Sequence, residues 1–237
     1  MIRRRQPRLQ LELPPVQRDY GSWVRHANVE TACNRLALWQ VHGGRLWLYS
    51  DSPAGKSHLL QSLQDEQATR WIDLAVESYA SINSWQLAQR WMEQIGAAQR
   101  WLFDLPAGAL PRSVAYALFH ILERSRAAGS DLVVAWRGDP TTLPPELSSR
   151  LLAMEQLDMA PPDDDESLLE ILRHAAANMQ WDVREQVLKA LLIYLPRRLD
   201  LLMAALQQLE KNSLEERHKP GAAWVKQQLL QMQLGDG

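Results

Sequence analysis

The sequence predicts an α/β fold: a parallel sheet of five strands flanked by helices, followed by an all-helical unit. Short apolar runs alternate with longer amphipathic ones from Leu46 onward, and the composition changes at Pro161-Pro162, beyond which only helical spacing remains. Repeated strand, helix, strand units need right-handed crossovers, and these build a doubly wound parallel sheet.

Taken in order, the apolar runs at 46–50, 71–74, 101–105 and 132–136 read as strands, each followed by a turn-rich stretch, and a weaker fifth lies at 155–158. Between them, 56–67, 84–95 and 111–128 have helical spacing, with Leu118, Ile121 and Leu122 on one face. Proline at 161 and 162 blocks the incoming element, and the run Asp163, Asp164, Asp165, Glu166 suits a helix N-terminus. Helices are then expected over 163–178, 182–195, 197–212 and 222–232. The expected organisation is a disordered arm over 1–17, an α/β domain over 18–160 and a helical lid over 161–237. A helical unit of about 75 residues packs against a larger partner domain.

Composition narrows the function classes. Of 237 residues 46% are apolar and 23% charged, a globular balance. No long apolar run occurs and no apolar segment follows Arg3-Arg4-Arg5, so neither a membrane span nor secretion is expected, and a cytoplasmic protein is. The single cysteine, Cys33, reads as a buried small hydrophobe, and the histidines show no metal-ligand spacing. Four of the 26 basic residues lie in the first eight positions, so the remainder carries 22 bases against 28 acids. Direct specific DNA binding by so acidic a body is not expected. Ten tryptophans are many, but Trp39, Trp47, Trp71, Trp91 and Trp101 fall on strand or helix faces and read as core.

The sharpest chemical signal is Ser50-Asp51-Ser52-Pro53-Ala54-Gly55-Lys56-Ser57, between the first strand and a helix. It matches the phosphate-cradling pattern G-x-x-x-x-G-K-[ST] except at the first glycine, where Ser50 stands. Backbone N–H groups around Ala54, Gly55 and Ser57 would hold phosphate oxygens, Lys56 adds a compact positive charge, and the Ser57 hydroxyl can ligate magnesium. The chain has 21 arginines and five lysines, and Lys56 is the only lysine before Lys189. A role needing an ammonium rather than a guanidinium is implied. The third strand ends on Asp104, where such proteins hold a magnesium-coordinating carboxylate. Leu105 follows, so the second acid that would position water is missing.

The triplet Gly55-Lys56-Ser57 continued by His58-Leu59-Leu60, the Gly138-Asp139-Pro140 turn after the fourth strand, and Ser149-Arg150-Leu151 together resemble the AAA+ module of the bacterial replication initiator DnaA. The chain ends after the lid, without that initiator's DNA-binding domain, which is similar to the regulatory DnaA homologues that inactivate the initiator. The segment Gln10-Leu11-Glu12-Leu13-Pro14 resembles the short peptide through which those homologues bind the polymerase sliding clamp. Extended, it could place the Gln10 amide and the Leu11 and Leu13 side chains in an apolar cleft.

The resemblance implies a P-loop AAA+ fold that binds ADP or ATP with Mg2+ through Ala54, Gly55, Lys56, Ser57, His58, Asp104 and Asp139, the metal held by Ser57 and Asp104. His58 has a bland alternative in packing or capping. The implied partners are the DNA polymerase III sliding clamp and DnaA, and self-association is allowed. Arg150 would be the arginine finger acting on the neighbour's nucleotide, with a surface pair to Glu146 as its bland alternative. The implied function is negative regulation of replication initiation, by promoting ATP hydrolysis on DnaA. Two readings stand beside it: a degenerate AAA+ scaffold without nucleotide, and a stand-alone P-loop ATPase or kinase. The chain departs from the pattern at Ser50, Pro53 and Leu105. In the lid the register of Leu201, Leu202 and Leu206 puts Asp200 where the family opens a helix with a sensing arginine, and Arg197 and Arg198 lie one turn earlier as substitutes.

Overall fold

The strands are β1 (Arg45–Tyr49), β2 (Thr69–Asp73), β3 (Arg100–Asp104), β4 (Asp131–Trp136) and β5 (Glu155–Asp158). They pair in parallel in the order β2-β3-β4-β1-β5. The computed structural model describes residues 23–64, 68–74, 82–216 and 220–234. The expected arm and Gln10, Leu11 and Leu13 lie outside the described residues.

The first four strands begin one or two residues earlier than the apolar runs do. Pairing continues through polar residues that periodicity cannot see: Thr69 is in register with Arg100, and Arg100 with Asp131. The last two also face each other as an ion pair at 3.9 Å.

Five helices belong to the sheet layer: α1 (Ala27–His42), α2 (Lys56–Ser62), α3 (Ser84–Ile95), α4 (Arg112–Ala128) and α5 (Pro145–Leu152). α2 stops at Ser62, short of the expected 67, where Leu63 and Gln64 donate to Leu60 and Gln61 in a tightened last turn. α3 begins where predicted because the Asn83 side chain accepts from Gln86 N–H at 2.9 Å.

Strand alternation divides the body's core into two layers. Leu46 and Leu48 of β1 pack with Leu102, Val133, α1 and α2 on one face, while Trp47 packs with Phe103, Val134, Trp136 and helices α3, α4 and α5 on the other. Leu118, Ile121 and Leu122 are all buried there, as their spacing predicts. Trp91 stands edge-on to Phe103 at 5.7 Å, and both are fully buried. Four of the five tryptophans assigned to the core are buried, whereas Trp71 is only partly so because β2 is the sheet edge.

The lid comprises α6 (Asp165–Asn178), α7 (Glu185–Tyr194), α8 (Leu199–Glu216) and α9 (Ala222–Leu234). α6 starts two residues later than expected because Asp164 is its cap, accepting from Ser167 N–H at 2.6 Å. Leu168, Leu172, Leu191, Leu202, Leu206 and Leu209 form a separate core. Leu202 and Leu206 face it but Leu201 is exposed, which turns Asp200 toward the body.

Candidate nucleotide site

Side-chain alternation continued past the strand ends builds the site. Odd positions of β1 and β3, such as Trp47 and Phe103, face α3 and α4. The even positions Ser50 and Asp104 therefore project with Leu48 and Leu102 toward α2. Lys56, the first residue of α2, donates from Nζ to Ser50 Oγ. Asp104, only 4% exposed, is close enough for its charge to act on the same ammonium.

The register places one more group here. Tyr49 pairs with Trp136, so Ser50 and Arg137 are the next residues on adjacent strands, at the carboxyl end of the sheet. That is where ligands bind in open parallel sheets. Burial first and the nearby Arg137 charge second push the Lys56 amine down to about 8, against the opposing charge of Asp104. Arg137 was not among the residues singled out by motif. Its signal was present in the sequence as a cation directly after an apolar strand.

Gly55 adopts φ 77° and ψ 18°, a left-handed conformation that glycine takes without strain, and its carbonyl accepts from Leu59 N–H at 2.9 Å. The Trp23 indole lies against it so closely that a Cβ at 55 would come within 2.9 Å of the ring. His58 meets the edge of the same indole with centroids 5.4 Å apart.

A cavity of about 280 Å³ opens beside the loop, between body and lid. Trp23, Val24, His26, Pro53, Ala54, Gly55 and His58 line it from the body. From the lid come Ile171, His174, Met179, Leu199, Asp200 and Met203. Its mainly apolar walls with a few polar groups are those of a small-molecule site. Burial lowers the His26 imidazole, against the opposing charges of Asp164 and Asp163.

The structure brings Ala54, Gly55 and His58 to this cavity and Lys56 and Asp104 together at the carboxyl end of the sheet. Ser57 is exposed at the start of α2. Asp139 does not line the cavity: it is exposed and caps the 3₁₀ turn Pro140–Thr142, accepting from Thr141 N–H at 2.8 Å. Leu105 is buried among α3 and α4, with its N–H donated to Ala135 at 2.9 Å. No acid stands at that position.

The two lid arginines offered as substitutes are held in ion pairs. Arg197 forms a double hydrogen bond with Asp165 at 2.6 and 2.9 Å, and Arg198 does the same with Asp200 at 3.2 and 2.6 Å. The bond from Arg198 holds the Asp200 carboxyl below its usual range. Arg150 on α5 reaches Glu123 on α4 at 2.6 Å rather than the Glu146 expected from helical spacing, because α5 packs across α4. It also lies 5.9 Å above the Phe119 ring.

A Gly-Lys-Ser loop after the first strand of a parallel sheet with this order, beside a helical lid, is the AAA+ fold. The chain is similar to domain III of the Thermotoga maritima replication initiation protein DnaA, with 17% identity, a TM-score of 0.70, and coverage of 90% of this chain and 95% of that one. AMPPCP-bound DnaA from Aquifex aeolicus matches at 13% identity and TM-score 0.56, covering 81% of this chain and 64% of that one. The Thermotoga maritima RuvB Holliday junction branch migration motor shares the fold too, at 12% identity and TM-score 0.61, over 90% and 71% of the two chains. No curated protein sequence matches. Residues 164–229 match the family described as Hda, lid domain. The chain thus has the fold of the DnaA AAA+ module, and its lid segment matches the Hda lid family. No helix among the described residues is long and apolar enough to cross a membrane.

Proposed function

We propose that this chain is a cytoplasmic negative regulator of chromosome replication initiation, tethered to the DNA polymerase III sliding clamp and promoting ATP hydrolysis on DnaA. The observation that carries this reading is the Hda-type lid over residues 164–229, on a body with the fold of DnaA domain III. Gln10, Leu11 and Leu13 would provide the tether. Arg150, 41% exposed in its side chain despite the Glu123 pair, would be delivered to the neighbouring molecule's nucleotide. An arginine supplied in trans accelerates phosphoryl transfer by ~10³ to 10⁵.

The residues present also fit a nucleotide of the chain's own, ADP or ATP with Mg2+. The cavity beside Gly55 would take the apolar part, Lys56 the phosphate charge, and Ser57 and Asp104 the metal. The bound nucleotide would contribute a charged phosphate chain that joins body to lid. With Leu105 where an attacking water would be positioned, binding without appreciable turnover follows. The test is a hydrolysis assay with DnaA, clamp and DNA. Stimulation of DnaA's ATPase by this chain, lost when the clamp is omitted, is the expected result, and no stimulation refutes the reading.

A second reading, an AAA+ scaffold that binds partners without nucleotide, is favoured by the internal partner Ser50 already supplies to Lys56. Calorimetry with ADP and with ATP separates the two. Heat of binding supports the first, and its complete absence the second.

A further inference from the structure

Resting on the reading of Arg150 above, we infer that Glu123 is an internal stand-in for the phosphate that Arg150 is to meet. It holds the guanidinium at rest and yields it to a neighbouring molecule's nucleotide, while Arg126 and Arg45 keep the freed carboxylate compensated. Three observations converge. First, the hold is exchangeable. Among the described residues the Arg150 side chain makes a single hydrogen bond, from Nε to Glu123 Oε1 at 2.6 Å. Arg35, Arg197 and Arg198, by contrast, grip Glu155, Asp165 and Asp200 through two nitrogens each. The terminal nitrogens of Arg150 are thus left for an incoming oxyanion, and at 41% and 35% exposure neither side chain of the pair is closed off from one.

Second, the carboxylate does not depend on Arg150 alone. Arg126, about one turn further along α4, and Arg45 both act on Glu123 through their charges. Arg45 is fixed beside it, donating from a terminal nitrogen to the Leu122 carbonyl at 2.8 Å and to the Ser125 hydroxyl at 3.0 Å. Burial lowers the Arg45 guanidinium, Glu123 opposes that, and the like charges of Arg126 and Arg150 add to it. Three guanidiniums thus share one carboxylate, and an anion delivered from outside meets an excess of positive charge. Third, the exchange is chemically matched. Carboxylate and phosphate present the same pair of oxygens to a planar guanidinium, and the phosphate carries more charge. An exposed ion pair costs little to break, whereas the bond to phosphate forms at a contact from which water is excluded. The Phe119 ring, 5.9 Å from the guanidinium carbon, supports the cation when the carboxylate lets go.

The test measures ATP hydrolysis by DnaA, with clamp and DNA, at sub-saturating amounts of the full chain, alongside melting temperature. Glu123→Gln and Glu123→Ala are each expected to raise stimulation about two- to fivefold, the range that loss of an exposed ion pair spans. Arg126→Ala leaves the carboxylate to bind Arg150 more tightly and lowers stimulation about twofold or more, and Arg126→Lys restores it. In the Glu123→Gln background Arg126→Ala has no effect, because no carboxylate is left to compensate. Stimulation by Glu123→Gln equal to or below that of wild type overturns the proposal. So does an Arg126→Ala effect of the same size in both backgrounds, which gives Arg126 a role independent of Glu123. Failure of the underlying reading looks different: normal stimulation by Arg150→Ala, or none by the wild-type chain, removes Arg150 as the delivered arginine and this stand-in with it.

Discussion

Arg150 Nε and Glu123 Oε1 lie 2.6 Å apart, joining α5 to α4 at the surface. The bond holds the Glu123 carboxyl below its usual range. Both side chains are about two-fifths exposed, so solvent screens the pair and its contribution to stability is small. Arg150→Ala should leave the melting temperature within about 2 °C of wild type. The same variant should abolish stimulation of DnaA's ATP hydrolysis in the presence of clamp and DNA. Glu123→Gln frees the guanidinium and should retain stimulation. Normal stimulation by Arg150→Ala would falsify its role as the finger.

Lys56 gives a pH signature. Its amine is lowered to about 8 by burial first and the Arg137 charge second. A bound phosphate favours the charged form, so binding takes up protons wherever the free amine is partly deprotonated, at pH 8 and above. Affinity should therefore fall as pH rises beyond 8. Calorimetry at about pH 8.5 in two buffers of different ionisation enthalpy should register proton uptake that is nearly absent at about pH 6.5 and missing in Lys56→Met. The sign for stability is opposite to that of a paired lysine. The folded chain holds this proton less tightly than the unfolded one, so the penalty is full below 8 and fades as pH rises toward the unfolded value.

The tether can be tested alone, because an extended peptide docks with no fold of its own. A peptide covering residues 6–16 should bind the sliding clamp, and replacing Gln10 and Leu13 by alanine should weaken binding by about tenfold or more. No binding at high micromolar concentration would remove the tether from the proposed mechanism.

Gly138 probes the packing that fixes the end of β4. A Cβ there would overlap the Trp136 indole and lie 2.7 Å from the Gly108 carbonyl oxygen. Trp136 is fully buried and donates from Nε1 to that same oxygen at 3.2 Å, so it has nowhere to move. Gly138→Ala should cost about 1–3 kcal/mol in urea denaturation. Because Arg137 is the adjacent residue, nucleotide affinity should fall in the same variant.

The sequence by itself determined the α/β class, the five strands and the position of the phosphate loop. Those follow from local rules: apolar runs of strand length, helical spacing between them, and a Gly-Lys-Ser triplet at a strand-to-helix turn. The resemblance carried by those motifs implies an acid where Leu105 stands and an arginine where Asp200 does. Tertiary structure decided the rest. Helical spacing offered Glu146 to Arg150, yet the packing of α5 on α4 supplied Glu123. Which acids Arg197 and Arg198 meet, Asp165 and Asp200, is set by lid packing and not by spacing. Arg137 gained meaning only when parallel register set it beside Ser50, 87 positions away in sequence. Such relationships depend on which strands become neighbours, and neighbours in this sheet are far apart in the chain. A single sequence records the periodicity of each element, whereas the charges that converge at the sheet edge are decided by pairing and packing.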